Sequence, residues 1–83
     1  MDQDDFYAAI KEGHEIEICF RGKWFFFRKC EKNRMIAYLF YEMCGSQPNE
    51  ILTFGCVQEL LSMKVQNVSL IDVLCNLDDY TVY

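Results

Sequence analysis

The chain has little of what a catalytic centre usually needs. It holds one histidine, His14, among 83 residues. A single imidazole excludes paired histidine ligands, and no serine or thiol beside it completes a nucleophile motif. There is no P-loop and no dinucleotide fingerprint. Thirteen carboxylates are present, but their spacing singles out no acid–base pair. A non-enzymatic protein without a cofactor is therefore expected. Proline occurs once and glycine four times, too little of either for a disordered or low-complexity chain. The longest strongly apolar stretch, Met35 to Tyr41, has seven residues, against about twenty for a membrane-spanning helix. The opening Met1-Asp2-Gln3-Asp4-Asp5 is acidic where a secretion signal is basic. These absences together predict a soluble, cytoplasmic protein with no membrane partner.

Five cysteines (Cys19, Cys30, Cys44, Cys56, Cys75) stand at spacings of 11, 14, 12 and 19. No C-x-x-C pair occurs, so neither a zinc site nor a disulfide framework is expected. The thiols are read as small apolar residues in a reducing compartment.

What the chain does have is segregated charge. Between Arg21 and Arg34 lie six of its eight basic residues and one acid, Glu31, a local charge of +5. The remainder carries Lys11 and Lys64 against twelve acids, or −10, within a formal net charge of −5. The basic stretch also contains Trp24-Phe25-Phe26-Phe27. Seven Phe, five Tyr and one Trp supply large buried areas to a chain short enough to be marginally stable.

The periodicity predicts α+β architecture in a single domain spanning residues 1–83. Asp4 or Asp5 caps a helix running to about Glu12, with Phe6, Ala9 and Ile10 on one face and Gly13 where it stops. Glu15 to Phe20 alternates polar and apolar, as a half-buried strand does. A tight Arg21-Gly22 turn then pairs Phe20 with Lys23, Ile18 with Phe25 and Ile16 with Phe27. On the other face it pairs Cys19 with Trp24, Glu17 with Phe26 and Glu15 with Arg28. A turn at Lys32-Asn33 leads to a third strand, Arg34 to Tyr41, placing Phe27 opposite Tyr38 and Phe25 opposite Phe40. Trp24, Phe26, Leu39 and Tyr41 then share the second face of a three-stranded antiparallel meander. Cys44 to Asn49 reads as a loop, and Ile51 to Phe54 as a short fourth strand or an extended lead-in. Two helices are expected to close the domain on one sheet face. One runs from about Cys56 to Lys64. The other opens at Ser69, with Asp72 completing a capping box and Leu70, Val73, Leu74 and Leu77 as its stripe. Asp78 to Tyr83 is left as an acidic, aromatic tail.

Two surfaces follow as candidates. The acids and exposed aromatics form the first, with Glu15, Glu17, Trp24, Tyr41, Asp78 and Asp79 as contacts to a larger protein. Spaced carboxylates on a rigid scaffold imitate a phosphate track and select basic partners. The second is the basic ribbon, in which Arg21, Lys23, Arg28 and Lys29 would meet phosphates while Trp24 stacks on bases. Direct nucleic-acid binding is the less favoured of the two, because the net charge opposes it. A homodimer across the second sheet face is a third use of the same aromatics.

Gly13-His14-Glu15-Ile16-Glu17-Ile18-Cys19-Phe20-Arg21-Gly22-Lys23 resembles a G-x-E-I-E-F-x-Y-x-G-K hairpin of very small acidic proteins of Firmicutes and their phages or mobile elements. Phe54 to Leu61 and Val65 to Leu74 resemble the closing F-x-x-x-x-E-L-L … I-x-G-x-S-L segment of the same proteins, with Asn67 where a glycine is usual. Several such proteins are similar in character to anti-CRISPR inhibitors. That resemblance implies a phage or mobile-element protein that binds a CRISPR effector or other nuclease without a cofactor. It carries over no inhibitor-specific residue.

Overall fold

Asp2, rather than Asp4 or Asp5, starts the first helix. Its backbone is extended and its carboxylate accepts the Asp5 N–H at 2.7 Å. In a computed structural model describing all residues from Met1 to Tyr83, helix α1 (Gln3–Lys11) follows and buries Phe6 and Ile10. Gly13 ends it at φ +89°, in the left-handed region that glycine enters without steric cost.

Strands β1 (Ile16–Phe20) and β2 (Lys23–Lys32) form the first hairpin in the expected register, Ile16 opposite Phe27 through Phe20 opposite Lys23. Arg21 and Gly22 both take positive φ, the geometry that matches the right-handed twist of the flanking strands. The second hairpin departs from expectation. Asn33 and Arg34 are the residues with positive φ, so the turn lies one residue later than Lys32-Asn33. Strand β3 (Met35–Cys44) therefore pairs Phe27 with Phe40 and Phe26 with Tyr41. Moving a two-residue turn by one position slides the pairing by two. A slide of two keeps every side chain on its original face, because the strand period is two.

Beyond β3, β4 (Gln47–Pro48) and β5 (Leu52–Phe54) both pair with its outer edge. The short strand over Ile51 to Phe54 thus exists, and the loop before it is partly paired. Helix α2 (Val57–Leu61) is shorter than expected. Lys64 and Met63 are not helical. Lys64 belongs to β6 (Lys64–Val65), which pairs with β7 (Val68–Ser69) around Gln66 and Asn67, both at positive φ. Helix α3 (Leu70–Cys75) opens on the Ser69–Asp72 box: the Ser69 hydroxyl donates to the Asp72 carboxylate at 3.0 Å and accepts the Asp72 N–H at 3.4 Å. Leu77 falls after the helix and packs half-buried against the core.

The segment left as a tail is a strand. Strand β8 (Asp79–Val82) pairs antiparallel with the free edge of β1, Ile16 opposite Val82 and Cys19 opposite Asp79. The sheet thus has six strands rather than three or four, ordered β4-β3-β2-β1-β8 with β5 also on β3. One face of it carries Ile16, Ile18, Phe20, Phe25, Phe27, Tyr38 and Phe40 into a single core with Phe6, Ile10, Val57, Leu60, Leu70, Val73 and Leu74. Helix α1 lies against β2, and α2 touches α1 and β5. Helix α3 packs chiefly on the β6–β7 ribbon, so only part of the helical half rests directly on the sheet.

Phe27 is the centre of that core. It is fully buried, edge-on to Phe6 at 5.1 Å and tilted against Phe40 at 5.0 Å. Truncation to Ala is expected to cost about 3–5 kcal/mol, read from the urea midpoint of the reduced protein. Phe26→Ala, one residue away on the other face, is expected to cost less than half as much. Arg34→Gly is expected to stabilise by about 0.5–1 kcal/mol, because a Cβ at positive φ is strained. The same denaturation measurement checks it.

Candidate functional site

The face of the sheet opposite the core has no helix on it. Strand alternation sends Glu17, Cys19, Trp24, Phe26, Arg28, Leu39, Tyr41 and Met43 there. Phe26 and Tyr41 sit on neighbouring strands and stack in parallel, centroids 5.4 Å apart and planes within 7°. Trp24 beside them is 38 % exposed. Together they make an apolar, aromatic patch on the outside of a small domain, the kind of surface that marks an interaction site.

Carboxylates border this patch along one edge: Glu15 and Glu17 at β1, and Asp79 from β8. Its pairing with β1 sets Asp79 opposite Cys19 and Thr81 opposite Glu17, all on the open face. Tyr83 continues the alternation. Its backbone N–H donates to the Glu15 carbonyl at 2.8 Å and its hydroxyl donates to Glu17 Oε2 at 3.3 Å. Partial desolvation, and then the charges of Glu17 and Glu15, push the Tyr83 phenol above its ordinary value of 10.0. His14 closes the same corner: Nδ1 lies 2.7 Å from the Tyr83 carbonyl and Nε2 3.3 Å from Glu12.

Five of the six residues expected to contact a protein partner therefore gather on or beside one face: Glu15, Glu17, Trp24, Tyr41 and Asp79. Asp78 is adjacent but already employed. Its Oδ2 accepts the Gly22 N–H at 3.3 Å and lies 4.0 Å from Cys19 Sγ, which ties β8 to the first turn. Asp2, Asp4, Asp5 and Glu12 lie on or beside α1, which packs on the core side of the sheet.

The basic ribbon does not form one surface. Lys23 and Lys29 lie on the helical side, Lys23 within 3.6 Å of Glu42 and Lys29 donating to the Lys11 carbonyl at 3.2 Å. Arg21 lies over the Phe20 ring at 4.9 Å. Of the residues considered for nucleic acid, only Trp24 and Arg28 reach the open face. Period-two alternation is the reason: a run of bases along one strand is divided between its sides.

Two hollows are present. One, of about 260 Å³, lies on the helical side between the Phe25–Phe40 stack, Leu52 and the β6–β7 ribbon, with Lys23 and Glu42 at its mouth. The other, of about 430 Å³, is on the open face and is lined by Glu17, Trp24, Phe26, Met43 and Gly45. Sequence reasoning did not place Phe26 and Met43 among the contact residues. It marks Tyr83, like Tyr80, as an aromatic of interface type but misses the strand that leads to it, for which Tyr80-Thr81-Val82-Tyr83 was the available signal. All five cysteines are unpaired, and no three His, Cys, Asp or Glu side chains are grouped to hold a metal ion. No helix is long and apolar enough to cross a membrane. No family model, curated protein or solved structure matches this chain.

The Tyr83 phenol reports directly on this corner. Glu17→Gln removes a negative charge beside it and is expected to bring its titration back down toward 10.0. The sign follows from the charge: a neighbouring carboxylate disfavours the phenolate. A raised phenol favours the folded chain fully at pH values below 10.0 and loses that contribution as pH climbs through the raised value. Tyrosine-resolved NMR titration of the two proteins checks the shift.

Proposed function

We propose that this protein is a non-enzymatic binding protein that docks its open sheet face on a larger, basic, nucleic-acid-handling protein and blocks it. Its concrete form is an inhibitor carried by a phage or mobile element and directed at a CRISPR effector or another defence nuclease. The observation that carries the reading is an uncovered aromatic patch bordered by Glu15 and Glu17 at β1 and by Asp79, which β8 adds beside them. Apolar area at the centre supplies affinity, and the border of one charge selects a basic partner and speeds encounter. Bound there, the protein would occupy the surface that nucleic-acid phosphates otherwise use. The non-enzymatic part of the reading rests on the sequence, which offers one histidine and no nucleophile motif. The cytoplasmic setting belongs to the same reading and is supported by five thiols without a disulfide framework.

A cleavage assay tests the proposal. The reduced protein is titrated against a panel of purified CRISPR effectors and other nucleases, and complexes are sized by light scattering. Inhibition by a stoichiometric complex is expected. Trp24→Ala with Tyr41→Ala is expected to raise the half-inhibitory concentration at least about tenfold, as loss of an aromatic anchor does. Absence of any complex across the panel sinks the inhibitor reading. Salt-sensitive binding of single-stranded DNA or RNA that is lost in Arg28→Ala would replace it with a nucleic-acid-binding module. A doubled mass that reverts in Trp24→Ala would replace it with a homodimer across this face.

A further inference from the structure

The open-face hollow has a composition of its own. Its walls are Trp24, Phe26 and Met43, Gly45 leaves one side without a side chain, and a single carboxylate, Glu17, stands among them. Glu17 is half-buried, and its only hydrogen-bonding side chain is the Tyr83 hydroxyl, on Oε2. The ion pairs of the chain lie elsewhere, at Lys23–Glu42 and His14–Glu12. Arg28, the one cation on this part of the face, stands across the ladder from Leu39 and makes no ion pair with Glu17. An aromatic wall is negative on its faces, so a cation placed against it is attracted twice, by the ring and by the carboxylate. The hollow is open to solvent, and two further acids, Glu15 and Asp79, lie on or beside the same sheet face.

We infer that this hollow is an anchor pocket for one arginine side chain of the protein partner. The inference rests on the docking reading above and names the chemistry that the face recognises. The aliphatic stem of the arginine lies along Met43 and Phe26. Its planar guanidinium stacks on Trp24 and donates to the free oxygen of Glu17. Arginine fits better than lysine, because a flat, weakly hydrated cation both stacks on a ring and presents a fork to a carboxylate. A short aliphatic residue would fill the same walls and leave the carboxylate without a partner.

The test uses small probes and no nuclease, so its failure is separable from failure of the inhibitor reading. The reduced full chain, isotope-labelled, is titrated with acetyl-arginine amide, acetyl-lysine amide and acetyl-norleucine amide while the Trp24 indole and Met43 methyl resonances are followed. Saturable shifts with the arginine probe are expected at dissociation constants on the order of millimolar, about fivefold tighter than norleucine. Glu17→Gln is expected to remove that preference. Tyr83→Phe, which leaves the Glu17 charge in place, is expected to keep it, and so is Asp4→Asn on α1. Equal binding of arginine and norleucine overturns the inference while leaving an apolar docking face. An arginine preference that survives in folded Glu17→Gln overturns it, and so does the absence of a saturable shift with all three probes.

Discussion

Four consecutive aromatic residues in one strand cannot all be buried on the same side. That constraint organises this protein. Strand geometry turns Phe25 and Phe27 into the core and Trp24 and Phe26 out of it. The helical half of the chain is spent on one side, where Phe6 packs edge-on to Phe27 and Ile10, Leu60 and Leu74 join the same core. Nothing remains to cover the other side. A chain of 83 residues has a limited amount of apolar surface to bury. Leaving Trp24, Phe26, Tyr41 and Met43 on an outer face costs solubility and contributes little to folding. Such a face makes physical sense when another molecule completes it.

The second determinant is the edge strand. A sheet that ended at β1 would present a row of unpaired backbone groups beside the aromatic face, a template for unwanted pairing. Strand β8 satisfies that edge, and in doing so imports charge. Asp78 holds the first turn through the Gly22 N–H, Asp79 lands opposite Cys19, and Tyr83 reaches the Glu17 carboxylate. The backbone pairing that closes the sheet thus adds Asp79 to the acids Glu15 and Glu17 that β1 already presents on the open face.

Much of this was legible in the residues, and the misses have physical reasons. The alternation Glu15 to Phe20 and the Arg21-Gly22 turn specify the first hairpin to the residue, since a slip of one would reverse both faces. The second hairpin slid by two because Asn33-Arg34, not Lys32-Asn33, took positive φ. Without Asn-Gly to mark the turn, either pair fits the alternation equally well. The helical half was overread. Val57, Leu60 and Leu61 have helical spacing, but the helix stops at Leu61 rather than near Lys64; the bend over Val65 to Val68 was legible, and the pairing of its flanks into a ribbon was not. Strand β8 was missed because Asp78 and Asp79 dominate the composition of the last residues, and an acidic segment reads as solvated. The β-forming Tyr80 to Tyr83 that follow were outweighed. Glu15, Glu17, Trp24 and Tyr41 share a face through the two hairpins, which the alternation shows, whereas Asp79 joins them only through a pairing between positions 16 and 82. Local sequence carries no information on a contact of that separation.

The division of the basic residues is the last consequence of the same geometry. Six cations within fourteen positions look like a polyanion-binding stripe in one dimension. Folded, they alternate, and Lys23 and Lys29 fall on the helical side, where they meet Glu42 and the Lys11 carbonyl. The open face keeps Arg28 and, toward the second turn, Lys32, with Glu15, Glu17 and Asp79 along the β1–β8 side. A phosphate approaching the aromatic patch meets carboxylates first, whereas a guanidinium meets a carboxylate and a ring together. The charge beside the aromatic patch is therefore set by which side of a strand each residue occupies, and the side is set by the need to bury Phe25 and Phe27.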